Sequence, residues 1–207
     1  MVKTKIAVFI SGGGTNLQAL IDAQRDGILR NGRIALVISS NSIAYGLKRA
    51  KEAGIDAVAI TRRDCGSQEA FETEIIKKLE EYGIELIVLA GFLNILSEDF
   101  VKRYPERIIN VHPSLIPSFC GKGFYGIKVH EAALDYGVKI TGATVHFVNE
   151  VTDGGRIIRQ KPVCVKTDDT PKTLQKRVMM QAEWVILPEA TEEISKAIAE
   201  RKEYNGI

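Results

Sequence analysis

Asn110 and His112 end an apolar, strand-like run in "RIINVHPSLIP", and His112 is one of only three histidines in the chain. Side chains two apart on a strand point to the same side, so a strand that reaches the histidine lets an amide and an imidazole address one reacting centre. Imidazole moves protons near neutral pH, and a positioned amide stabilises a developing oxyanion. Pro113 and Pro117 restrict the backbone on either side of the turn and help hold the ring. The plainer alternative is a histidine that caps a strand end.

A second segment, "FISGGGTNLQ", places Ser11 to Gly14 between an apolar strand and a helix. Successive glycines remove the side chains that would keep a phosphate from backbone N–H groups. Thr15 and Asn16 add hydrogen bonds at a helix start that favours negative charge. The dinucleotide fingerprint is incomplete: Leu17 stands where a third glycine belongs, and the second strand ends in Ser40 and Asn41 without an acidic residue. No G-K-[ST] occurs either. A simple phosphate ester is the expected ligand, and a tight turn with an Asn cap is the alternative.

Asp153 lies in the glycine-rich "VTDGGR". In isolation Asp-Gly reads as a hairpin turn; brought to His112, a carboxylate raises the imidazole pKa and orients the ring. His146, inside "ATVHFV", reads as a strand histidine or a supporting group, with the structural role preferred, and His130 stands near a helix start. Without H-E-x-x-H or a Cys/His cluster, no catalytic metal is expected.

These groups need a scaffold. Apolar β-branched runs alternate with helical segments: "KIAVFIS", "RIALVISS", "DAVAI", "LIVLAGF" and "RIINVH" read as strands buried on both faces. In the helix after "DAVAI", Phe71, Ile75, Ile76 and Leu79 form the apolar stripe, Glu72, Lys77, Lys78 and Glu81 the other face, and Gly83 the end. From Ile140 the rhythm changes to two strands without a helix between them, then to a long helix opened by Thr170-Pro171 that Pro188 should kink or divide. The expected fold is α/β: one domain over residues 1–207, with a mostly parallel Rossmann-like sheet, helices on both faces and an added antiparallel strand pair near the C-terminus. Ligands in such sheets bind outside the carboxyl ends of the strands.

Bulk properties narrow the function. The 207 residues carry a net charge of +2 and 45% hydrophobic residues, an ordinary soluble composition that demands neither nucleic acid nor membrane. The Arg62-Arg63 pair reads as a solvated edge. Cys65, Cys120 and Cys164 are odd in number and scattered, which suits reduced thiols and a cytoplasmic setting. Glycines cut the first apolar run short of a signal or membrane segment.

Taken in order, "ISGGGTNLQ", "LAGFLNILS", "NVHPSLIPSFCGKG", "GATVHFVNEVTDGG" and "QAEWVILP" resemble the folate-dependent phosphoribosylglycinamide formyltransferases end to end. The resemblance implies formyl transfer from 10-formyltetrahydrofolate, as co-substrate and without a metal, to the amine of glycinamide ribonucleotide in purine synthesis. It implies Asn110, His112 and Asp153 as catalytic residues, and Gly13, Gly14, Thr15, Asn16, Pro113 and Glu183 as the ribonucleotide site. Phe92, Leu93, Asn94, Ile95, Leu96, Asn110, Val148 and Thr152 would meet the folate. The partners would be small molecules, in a monomer or homodimer. Relatives often carry Met-Arg at Leu93-Asn94, some an arginine at Gln68, and proline at Arg156, so folate contacts differ in detail. A formyltransferase acting on a sugar-nucleotide amine, without the phosphate loop, is the nearest rival; a non-catalytic metabolite sensor is the rival of another class.

Overall fold

The computed structural model describes residues 3–201 and residue 204. Five strands, β1 (Thr4–Ile10), β2 (Gly32–Ser39), β3 (Ala57–Ala59), β4 (Leu86–Leu89) and β5 (Ile108–His112), run parallel, while β6 (Ile140–Phe147) and β7 (Ile157–Cys164) are antiparallel to their neighbours. They form one sheet in the order β3-β2-β1-β4-β5-β6-β7. The antiparallel part is wider than the expected pair, because β6 also runs against β5. Pro162, which has no N–H for a ladder, falls on the edge strand β7, where proline is tolerated.

The helices are α1 (Thr15–Arg25), α2 (Tyr45–Glu52), α3 (Arg62–Cys65), α4 (Gln68–Tyr82), α5 (Glu98–Arg103), α6 (Ile127–Tyr136), α7 (Pro171–Val178) and α8 (Trp184–Ala199). Alternate residues of β1 serve opposite faces, as strand geometry dictates. Ile6, Val8 and Ile10 pack with Leu17, Leu20, Leu187 and Ile194 of α1 and α8. Ala7 and Phe9 join Phe71, Ile75 and Leu79 of α4 and Phe100 of α5. The two-sided burial explains why the strands are unbroken apolar runs.

The stripe on α4 is as expected, and Gly83 closes the helix at a φ of 62°. Glu72 is the exception on the charged face: it is buried and accepts bonds from Gln68 Nε2 at 2.6 Å and the Ser97 N–H at 2.7 Å. A buried carboxylate requires such partners, and these tie α4 to the start of α5. Arg62 and Arg63 are exposed, on the short helix α3.

Thr170 caps α7 by accepting the Thr173 N–H, with Pro171 as the first helical residue. The expected division of the terminal helix occurs, but upstream of Pro188, which itself lies inside α8. A π-helical segment, Met179–Glu183, separates α7 from α8 and ends before Trp184, the residue whose carbonyl would receive the N–H that Pro188 lacks. Glu183 is therefore carried on a widened turn.

The strand order reverses between β1 and β4, the switch point at which such sheets bind ligands. Ser11 clasps that point: its N–H donates to the Gly91 carbonyl at 3.1 Å, and its hydroxyl accepts the Leu93 N–H at 2.9 Å and meets the Ser40 hydroxyl at 2.6 Å. Among the described residues no helix is long and apolar enough to cross a membrane.

Candidate active site

A cavity of about 690 Å³ opens over the carboxyl ends of β4 and β5. Its wall includes Thr15, Asn16 and Glu183, the segment Phe92 to Leu96, Asn110, His112 and Pro113, and Val148 with Thr152 and Asp153. Sequence-distant groups thus meet in one space. Gly13 and Gly14 are outside that wall, in the loop leading to Thr15.

Asn110 and His112 both belong to β5, so the strand does reach the histidine. His112 is 4% exposed. Its Nε2–H donates to the Phe119 carbonyl at 2.9 Å, while Nδ1 is 3.5 Å from Asp153 Oδ2. Both nitrogens therefore face oxygen acceptors, an arrangement that only imidazolium satisfies fully. Burial pushes the His112 pKa below its ordinary value and prevails over the upward pull of Asp153 and the Phe119 carbonyl, with His146 adding to the fall. The ring is a buried base with a carboxylate ready to receive its charged form.

Asp153 is not merely a hairpin residue. Its backbone has a φ of 56°, the left-handed region that Asp tolerates better than most residues. Its Oδ2 accepts the Gly121 N–H at 2.8 Å. Burial pushes its carboxyl up, but His146, His112 and the Gly121 N–H together hold it below the ordinary value. The loop requires Gly155, because a Cβ there would stand 1.8 Å from the Phe147 carbonyl oxygen. That close approach at the end of β6 turns Asp153 back over the sheet.

His146 is a buried strand histidine with both ring nitrogens partnered, and it also supports its neighbours. It is the cross-strand partner of Asn110, it is 1% exposed, and it lines the cavity. Its Nδ1–H donates to the Phe147 carbonyl at 2.7 Å, which leaves Nε2 to accept the Asn110 amide N–H at 3.1 Å. The same Nε2 is 3.7 Å from Asp153 Oδ1. His146 therefore orients the Asn110 amide, and its ring lies beside the Asp153 carboxylate, a place beyond filling a strand.

The glycine loop divides into two parts. Gly14 is glycine for the protein's own packing: its φ is 69°, and a Cβ would lie 2.7 Å from the Gly46 Cα on α2. At Gly12 and Gly13 an added Cβ would meet nothing within 4 Å. Packing does not require glycine there, so what those positions keep open is approach from outside. Among the described residues no side chain caps α1. Asn16, considered as a cap, instead donates from Nδ2 to Glu183 Oε2 at 2.7 Å, and its Oδ1 has no partner among the described residues. Burial pushes the Glu183 pKa up against the pull of Asn16.

At the other end of the wall, Leu93 and Ile95 are 65% and 71% exposed, an apolar rim that water covers at a cost. Phe92 is anchored on Phe9 at 5.3 Å, and Gln68 Nε2 donates to the Ile95 carbonyl at 3.1 Å. Gln68 thus secures the backbone of this segment. Arg156 is not in the cavity wall; it donates to Glu106 and the Tyr204 carbonyl and stacks over Phe147 and Tyr204.

His130, in α6, is buried beside this site with its pKa lowered to about 4, first by burial and then by His112. The sign of the resulting stability change follows from linkage. An unfolded histidine takes up its proton near pH 6.5, whereas the folded one does so near 4, so acid favours the unfolded state in that window. Urea unfolding should lose up to about 3 kcal/mol of stability from this residue as pH falls through the window. His130→Leu should flatten the profile; an unchanged slope would show that the ring titrates normally.

The formyl transferase family model matches residues 4–191. The chain is 39% identical over 178 residues to the chloroplastic phosphoribosylglycinamide formyltransferase of Arabidopsis thaliana, covering 86% of this chain and 61% of that protein. It is 42% identical over 205 residues to the trifunctional purine biosynthetic protein adenosine-3 of Gallus gallus, covering 99% of this chain and 20% of that protein. The chain thus spans less than two thirds of the length of these two relatives. A crystal structure of glycinamide ribonucleotide transformylase 1 from Symbiobacterium toebii superposes with a TM-score of 0.87 at 40% identity, covering 94% of this chain and 89% of that one. With this sheet order and the family match over nearly the whole chain, the protein belongs to the formyl transferase family.

Proposed function

We propose that the protein transfers the formyl group of 10-formyltetrahydrofolate to the primary amine of glycinamide ribonucleotide. The observation that carries this reading is the meeting of Asn110, His112 and Asp153 in the wall of one cavity, together with an uncapped helix start and an apolar rim.

The ribonucleotide phosphate lies against the backbone from Gly13 to Asn16, where the open glycines and the N-terminus of α1 favour an anion. Glu183, held by Asn16, faces the sugar or the glycinamide arm, and Pro113 bounds that side. The folate ring system covers Phe92 to Leu96 and Val148, with the Thr152 segment over it. Attack by the amine on the formyl carbon turns the carbonyl oxygen into an oxyanion that Asn110 and protonated His112 stabilise. The folate nitrogen leaves with one proton while the attacking amine loses another, so the proton count closes. His112 supplies the first once its Nε2–H exchanges the Phe119 carbonyl for substrate. Asp153 supports the imidazolium, and as a carboxylate it accepts the amine's proton through water.

Incubating the protein with both compounds and following the N-formyl product by mass tests this directly. Product is expected with glycinamide ribonucleotide; product only with a sugar-nucleotide amine would transfer the assignment to that substrate class. Gly13→Ala should leave the melting temperature unchanged, since its Cβ has open space, yet raise the KM for glycinamide ribonucleotide roughly tenfold by obstructing the phosphate. An unchanged KM would remove the phosphate from this loop.

A further inference from the structure

His130 has no part in the chemistry described so far. It is 1% exposed, it lines the cavity, and neither ring nitrogen has a hydrogen-bond partner among the described residues. Native interiors rarely leave both nitrogens of a buried imidazole unsatisfied; where they do, the missing partner is commonly water, an ion or a ligand. Its helix, α6, packs against α7. From there the chain runs through Met179 to Glu183, and Gln175, Met179 and Glu183 all line the same cavity.

We propose that His130 is a substrate-contacting residue for the amine-bearing compound, its ring accepting a hydrogen bond from the primary amine and donating one to the neighbouring amide carbonyl. This assignment rests on the reading of the cavity as a formyl-transfer site for a phosphorylated glycinamide. A neutral imidazole has one donor and one acceptor, which match those two groups. Its low basicity, about 4, keeps the ring uncharged at neutral pH. An uncharged acceptor leaves the amine able to attack, and it places no second positive charge beside His112.

A packing role and a ligand role predict different results. His130→Leu removes two unsatisfied polar groups from a buried position, so its melting temperature should equal or exceed that of the native protein. The KM for glycinamide ribonucleotide should nevertheless rise roughly tenfold, the scale of lost hydrogen bonds, with the KM for 10-formyltetrahydrofolate within about twofold. His130→Gln should recover part of the loss. An unchanged KM for glycinamide ribonucleotide, or a rise matched by a fall in melting temperature and unrelieved in His130→Gln, would overturn the proposal. Nitrogen NMR of the His130 ring separates this from the catalytic reading. Glycinamide ribonucleotide should shift both ring nitrogens even if no formyl product forms, and inorganic phosphate should not. Ring signals indifferent to glycinamide ribonucleotide would overturn the contact whatever the assay shows.

Discussion

Replacing His112 by alanine should lower turnover at least ~100-fold while the KM for each substrate changes by less than about threefold, because the lost group acts on the transition state rather than on binding. In the proposed mechanism the substitution removes both a donor to the oxyanion and the proton for the departing folate nitrogen. It also takes a buried ring from between the Phe119 carbonyl and Asp153. Some stability will be lost with that ring, so the comparison belongs at a temperature well below the melting point of the variant. Steady-state rates with saturating substrates decide the matter; native turnover in His112→Ala would show that the imidazole is not the proton donor.

Asp153→Asn should cost about 100-fold in turnover and move the pH–rate profile toward acid. Asparagine occupies the left-handed backbone at φ 56° as readily as aspartate, and its amide oxygen can still accept the Gly121 N–H. The loop therefore keeps its course, and only the charge is lost. Burial already holds the His112 pKa below its ordinary value, and Asp153 is the first of the groups that oppose this. Without the carboxylate the pKa falls further, so the protonated ring appears only at lower pH. A profile that stays in place would separate Asp153 from the titration of His112. Equal losses in Asp153→Asn and Asp153→Ala would point to charge, and a loss confined to the alanine variant would point to loop geometry.

How much of this was legible in the sequence depended on the range of the contacts involved. Asn110 and His112 share a face because strand periodicity is local, so their spacing sufficed. Asp153 lay beyond such reasoning: its approach to His112 depends on Gly155 seating against the Phe147 carbonyl, and only the family resemblance indicated it. For His146 the sequence leaves a strand residue and a supporting group both open, because its partner is set by β5–β6 register, which periodicity does not give. The glycine loop was half legible. Its composition reads as a phosphate cradle throughout, yet Gly14 is fixed by the approach of Gly46, and of the three only Gly12 and Gly13 are open. Periodicity puts Glu72 on the face opposite the apolar stripe, but Gln68 and Ser97 supply the bonds that allow it to be buried. Pro188 announced a disturbance in the terminal helix, while the position of the π-helical segment and the aim of Glu183 toward Asn16 required the packed molecule.

The most direct measurement is a crystal structure with a stable adduct that joins glycinamide ribonucleotide to a folate analogue through the carbon to be transferred. The phosphate should lie against Gly13 to Asn16, the folate portion along Phe92 to Leu96 and Val148, and the linking carbon within hydrogen-bonding reach of Asn110 and His112. An adduct bound with its linking carbon away from these two side chains, or with its phosphate elsewhere on the surface, would contradict a formyl transfer performed at this cavity.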